Sequence, residues 1–317
     1  MAEWFKASVL KTDVPQGTGG SNPSPSASPW KNVMSAALPE HLLIIAGRGT
    51  YPLLLARSAR AAGVARITVA AMRGMTCREL RSFADDCVVF GVGEAGRMLD
   101  WAERIGVRHA VMAGQITPTA LFCTRFDAFS RAILRTLTVK NAHTIFGALA
   151  EQLTARNITV LPASQFMDAH LPRPGTLTRR EPDPREWDDI RFGLDVGMRV
   201  CDLDIGQTVV IKDGMILAVE SFEGTNCTIR RAGTLGGAGA VVVKVAKTGH
   251  DMRFDIPVIG ANTIPVLRKA RVSALALQAG RTLLLDRDAV IRAADRLNIA
   301  IVAVDSGLPA LQKKRAT

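Results

Sequence analysis

Continuous apolar runs alternate with amphipathic ones along most of the chain. "LLIIAG" (42–47) is an apolar run closed by glycine, the pattern of a strand buried on both faces. "PLLLARSARAAG" (52–63) has proline at its start and glycine at its stop, and predicts a helix. "ARITVAAM" (65–72) predicts a second strand, "EAGRMLDWAERIG" (94–106) a helix, and "HAVMAG" (109–114) a third strand. Helices are predicted near 127–138 and 143–156, and a strand at "ITVLPA" (158–163). Short strand–helix–strand units of this kind build parallel sheets.

The stretch "LPRPGTLTRREPDP" (171–184) is rich in proline and charge and reads as a linker between domains. Beyond it a helix is predicted over 186–203. "QTVVIKDGMILAVE" (207–220) carries two β runs around Asp213-Gly214, a strong hairpin signal. Further strands are predicted at 238–246, 272–280 and 281–287, and helices at 224–232, 262–271 and 287–297. The expected fold is α/β in two domains. An N-terminal Rossmann-like parallel sheet spans 34–170, a linker 171–186, and a C-terminal mixed α/β domain 187–317. Residues 1–33 stand apart: they are poor in core-forming residues and lack the apolar region of a signal peptide. Their "GGSNPS" matches the translation of the TψC arm of a serine transfer-RNA gene, so a read-through leader is expected, with Met34 as the start.

Composition changes this picture little. With 317 residues, 48% hydrophobic and 22% charged, the chain can bury sizeable cores without disulfides. Its five cysteines are scattered with no C-x-x-C pair, which predicts reduced thiols in a cytosolic protein. Charge narrows the partner. The net charge of +11 fits nucleic acid, an anionic membrane surface or an anionic small substrate. Aromatics make up only 5%, and no Lys/Arg run interleaves with them, so no nucleic-acid partner is expected. No apolar run reaches the roughly 18 residues of a spanning helix, so any membrane contact is expected to be peripheral.

Candidate chemistry gathers at strand ends and at one helix start. In "AGRGTYP" (46–52), Gly47, Gly49 and Thr50 follow the first strand, where backbone N–H groups can approach a phosphate. The third glycine of a dinucleotide fingerprint is missing, which disfavours a nicotinamide-dependent oxidoreductase. In "AGQITP" (113–118), Gly114, Gln115 and Thr117 end the third strand, as ligand contacts or as a plain polar loop. In "KNAHTIFG" (140–147), Asn141 is placed to cap a helix. The densest set is C-terminal: Gln207, then Glu223, Gly224, Thr225 and Asn226 in "EGTN", then Lys244, Lys247, Asp251, Arg253 and Asp255. Gly224 and Thr225 open a predicted helix whose first N–H groups face outward. Cations and carboxylates beside a helix start suit phosphoryl transfer with a divalent metal; a solvated charged loop is the plainer alternative.

In order and spacing, "AGRGTYP", "AGQITP", "LDIGQTVV", "AVESFEGTN", "VVVKVAK", "DMRFDIPVIG" and "LALQAGRTLLLDRDAVI" resemble the LpxI-type UDP-2,3-diacylglucosamine pyrophosphatases of lipid A biosynthesis, over residues 42 to 304. The resemblance implies two α/β domains with the substrate between them. It implies water attack on the α-phosphorus of a UDP-acylsugar lipid, giving UMP and lipid X, with Mg²⁺. It further implies a cytoplasmic enzyme, peripheral at the inner membrane, and a homodimer. Carried onto this chain, Glu223, Asn226 and Asp255 are the catalytic set, with Glu223 and Asp255 holding Mg²⁺. Lys244, Lys247 and Arg253 would meet the pyrophosphate. Gln207, Gly224, Thr225 and the loops around Gly47 and Gly114 would contact the rest of the substrate. Two departures matter. Typical members read EGTD where this chain ends in Asn226, and carry an acidic GDD-like stretch where it reads "KNAH". An amide hydrogen-bonds but is no general base near neutral pH. The alternative expectation is therefore a homologue that binds a UDP-acylsugar without cleaving it.

Overall fold

The structure is a computed structural model that describes residues 38–116, 124–247, 251–254 and 256–305. The expected leader, Thr117 and Asp255 lie outside the described residues.

The N-terminal sheet contains β1 (His41–Ala46), β2 (Arg66–Met72), β3 (Asp86–Phe90), β4 (His109–Ala113) and β5 (Thr159–Val160). All five are parallel, in the order β3-β2-β1-β4-β5. Strands covered on both faces need continuous apolar runs, and β1 supplies one after His41: Leu42 and Ile44 enter one core, Leu43 and Ile45 the other. Helix α1 (Tyr51–Ala61) covers the first face through Tyr51 and Leu55. Helix α2 (Ala95–Arg104) covers the second through Met98 and Leu99. Two more helices follow, α3 (Ala128–Thr136) and α4 (Ala142–Ala155). As expected, Asn141 caps α4, accepting from Thr144 N at 2.9 Å.

The C-terminal sheet has the order β6-β13-β11-β9-β7-β8. Its strands are β6 (Gly175–Thr176), β7 (Thr208–Lys212), β8 (Met215–Val219), β9 (Val241–Lys244), β11 (Ala274–Gln278) and β13 (Ala300–Val304). β9, β11 and β13 are mutually parallel, while the β7–β8 hairpin and β6 pair antiparallel. A separate parallel pair joins β10 (Val258–Ile259) to β12 (Leu283–Leu284). Helix α5 (Pro184–Asp202) lies on β7 and β9, brought close because Gly193 has no Cβ to meet Val243. Helices α6 (Thr225–Gly236), α7 (Ile264–Lys269) and α8 (Arg287–Arg296) complete the domain.

Residues 171–186 are structured. They supply β6, which pairs with β13, and Thr178, whose hydroxyl accepts from Ile301 N at 2.8 Å. The helix predicted from 186 begins at Pro184, because Asp183 and Glu186 form a reciprocal capping box around proline at the first turn. The two halves also share a core. Ile256, Leu283 and Leu285 pack with Leu42, Ile44 and Leu55.

Candidate active site

Every element around "EGTN" is placed by the β7–β8 hairpin. Counting outward from the Asp213-Gly214 turn would set Thr208 opposite Val219. A β-bulge between Val210 and Ile211 shifts the register by one, and Glu220 N donates to Thr208 O at 2.8 Å. On the other side Thr208 pairs with Lys244, the last residue of β9. Thr208, Glu220 and Lys244 therefore converge beneath the start of α6.

Lys244 is 3% exposed. Its ammonium donates to Thr225 Oγ1 at 2.8 Å and Thr208 Oγ1 at 3.1 Å, and lies 3.6 Å from Glu220 Oε2. Thr225 in turn donates to Glu220 Oε1 at 2.9 Å. The Thr225 hydroxyl is thus engaged on both sides, and its side chain is directed into this network. Glu220 Oε2 is buried and makes no hydrogen bond.

Gly224 is the N-cap of α6 with φ +77, a conformation that favours glycine. It offers no side-chain cap, and the first internal bonds reach its carbonyl from Cys227 N and Thr228 N. By position, the amides of Thr225 and Asn226 have no partner within the helix, at its positive end. Asn226 is half-buried, and its side-chain amide makes no hydrogen bond with the described residues.

Glu223 is held differently. Its carboxylate accepts from Ser221 Oγ at 2.6 Å, from Arg231 at 2.6 Å and from Thr228 Oγ1 at 3.3 Å. The Ser221 hydrogen bond first, and the Arg231 guanidinium second, pull its pKa from 4.5 down to about 2. A carboxylate held this low is a poor proton acceptor near neutral pH. The linkage has a definite sign: a depressed carboxylate adds stability above its unfolded value and loses that contribution as pH falls through the folded one. Arg231→Ala should therefore lower stability by about 0.2–1 kcal/mol at neutral pH, the range of a partly exposed ion pair. The deficit should shrink between pH 4.5 and about 2, as urea unfolding across that window would show.

The remaining predicted residues lie around other partners. Lys247 donates to Asp204 Oδ1 at 2.9 Å, and Arg253 grips Asp251 with contacts of 2.6–3.1 Å. Those aspartates offset both cations locally. The Gln207 backbone carbonyl accepts from Val245 N at 2.9 Å. In the N-terminal domain the two glycine loops zip together: Gly47 N donates to Ala113 O, Arg48 N to Gln115 O and Gln115 N to Arg48 O, at 2.8–3.0 Å. Gly49 has φ +102, and Thr50 is the N-cap of α1 without a side-chain bond. A Cβ on Gly47 would sit 2.6 Å from Gln115 O. Gly47→Ala should cost about 1–3 kcal/mol, the range for overpacking; an unchanged urea midpoint would contradict this close approach.

Of the two expected magnesium ligands, only Glu223 lies among the described residues. Among these residues no three His, Cys, Asp or Glu side chains are grouped to hold a metal, and Glu223 already serves Ser221 and Arg231. Glu220 and Thr208 were missed from sequence. The hairpin was the available signal, but the bulge that brings Glu220 into line leaves no mark in the hydrophobic pattern.

Fold and site together define a two-domain α/β protein whose C-terminal sheet holds a buried lysine beneath an uncapped helix start. The LpxI N-terminal domain matches residues 41–170 and the LpxI C-terminal domain residues 173–302. The chain belongs to the LpxI family. It is 32% identical over 280 residues to the UDP-2,3-diacylglucosamine pyrophosphatase LpxI of Caulobacter vibrioides, covering 83% of this chain and 96% of that protein. Among solved structures, the biotin carboxylase domain of the Hydrogenobacter thermophilus 2-oxoglutarate carboxylase is similar at 12% identity and TM-score 0.26. That match covers 63% of this chain and 41% of the other, a likeness too slight to carry an argument.

Proposed function

We propose that the chain is a hydrolase of the pyrophosphate bond in an acylated UDP-sugar, with UDP-2,3-diacylglucosamine as substrate and UMP and lipid X as products. One observation carries the site assignment. In "FEGTN" the hydroxyl of Thr225 and the carboxylate of Glu223 are engaged within the protein, while the half-buried Asn226 side chain makes no hydrogen bond with the described residues and the first amides of α6 have no side-chain cap. Backbone N–H groups at a helix start, over the buried charge of Lys244, make a cradle for a phosphate. Lys244 and Glu220 keep that cradle rigid through Thr225, and Asn226 orients water or a phosphoryl oxygen through its amide. The glycine loops at Gly47 and Gly114 would take the nucleotide or the sugar phosphate.

Exposed apolar side chains support an acylated substrate. Leu203 (71% exposed), Ile205 (47%) and Phe222 (61%) lie on the segments that flank the Thr208–Glu220 contact. No helix among the described residues is long and apolar enough to cross a membrane. We place the protein in the cytoplasm, working at the inner-membrane surface. Magnesium use belongs to the same reading.

Hydrolysis in H₂¹⁸O tests the reaction. Attack at the α-phosphorus puts the label in UMP; label found only in the sugar phosphate would refute this reading of the reaction. A second reading has its own support. Asn226 cannot take a proton, and Glu223 is a weak base, so the fold could hold the nucleotide-lipid uncleaved. Tight binding of UDP-2,3-diacylglucosamine without UMP release, with and without Mg²⁺, would establish it.

A further inference from the structure

A cavity of about 230 Å³ opens at the carboxyl end of β2, away from the α6 network. Ala71 of β2 and Val89 of β3, adjacent in register, form its floor, and a 3-10 turn (Arg78–Phe83) closes over it with the fully buried Leu80. Its charged lining consists of Arg73, Arg78 and Arg81, with no carboxylate. Arg73 reaches Glu94 only at 3.5 Å and is 67% exposed, a pairing that neutralises little. Arg78 and Arg81 make no ion pair among the described residues. The loop is fixed to the end of β1: Thr76 Oγ1 accepts from Met72 N at 2.9 Å and donates to Ala46 O at 2.5 Å.

Ligands of doubly wound sheets lie beyond the carboxyl ends of the strands. There an acid near the end of the second strand suits a ribose hydroxyl, and an arginine suits a phosphate. Guanidinium forks match phosphate oxygens in pairs. The cavity is smaller than the roughly 300 Å³ at the low end of ligand pockets, which limits the ligand to a phosphate on a compact body.

We propose that this cavity is a second anion site, binding a phosphate monoester of nucleoside or sugar size. None of its residues belongs to the α6 network, although Thr76 ties its loop to Ala46, beside the Gly47 loop.

Cysteines report on both places. Cys77 and Cys87 line the cavity, and the exposed Cys227 sits in the first turn of α6. The full chain is alkylated with N-ethylmaleimide at matched ionic strength, with inorganic phosphate, UMP or glucosamine 1-phosphate, and each cysteine is followed by peptide mass spectrometry. The expected result is severalfold slower labelling of Cys77 and Cys87 with at least one probe. Protection by inorganic phosphate would assign the anion alone; protection only by UMP or the sugar phosphate would assign the body as well. The Arg78→Ala/Arg81→Ala variant, unchanged in Tm, should lose the effect, and Arg73→Glu should weaken it. Unchanged Cys77 and Cys87 rates with all three probes, protection confined to Cys227, or protection that survives in the double variant would overturn the proposal.

Discussion

Lys244→Met should cost about 3–5 kcal/mol of folding stability, the range for removing one partner of a buried pair. The side chains of Lys244 and Glu220 are only 4% and 13% exposed, so solvent cannot replace the lost ammonium. Without it Glu220 keeps one hydrogen bond, from Thr225, and its second oxygen has no cation. Such a loss is a large share of the roughly 5–15 kcal/mol that holds a domain folded. Urea unfolding followed by tryptophan fluorescence would measure it. Glu220→Gln in the same chain should recover part of the loss, because it removes the stranded charge. Additive costs of the two substitutions would contradict a coupled pair. Below the melting range, UMP release by Lys244→Met should also fall by about 10²–10³-fold, as when one preorganised electrostatic contact is deleted.

Asn226→Asp should raise kcat by about 10²–10⁴-fold, the usual worth of a general base. Asn and Asp are near-isosteric, and the amide has no hydrogen bond among the described residues to lose. The new carboxylate would sit in the first turn of α6, where negative charge is favoured. KM should change much less than kcat, since the exchange alters proton transfer more than binding. A fall in turnover on Asn226→Asp would mean that the chain uses the neutral amide in a chemistry of its own.

Much of this was legible in the chain. The buried strands at 42–47 and 65–72, the hairpin at Asp213-Gly214 and the helix starting at Gly224–Thr225 all emerge as read, because each carries a local signal. What was missed depends on distant partners. "DCVVF" forms an edge strand only by pairing with β2, and β6 is two residues long and exists through β13. "AIVAV" is uniformly apolar, a run that periodicity alone cannot assign to strand or helix. The 281–287 run keeps only Leu283–Leu284 as strand, because its partner β10 is equally short. In the site, the chemistry of "EGTN" was visible, yet not which carboxylate it turns inward. Glu223 folds back onto Arg231, and Glu220 takes the place under the helix. Lys247 and Arg253 are expected to meet the pyrophosphate, and each has an aspartate beside it in space.

With Asn226 in place of the acid, this LpxI-family chain should still hydrolyse its substrate. The direct measurement is UMP release from UDP-2,3-diacylglucosamine by the purified chain in excess over substrate, with Mg²⁺, against a protein-free control. Release well above the control, and faster still with Asn226→Asp, is the predicted result. Release equal to the control from the wild-type chain, with the substrate bound, would contradict it.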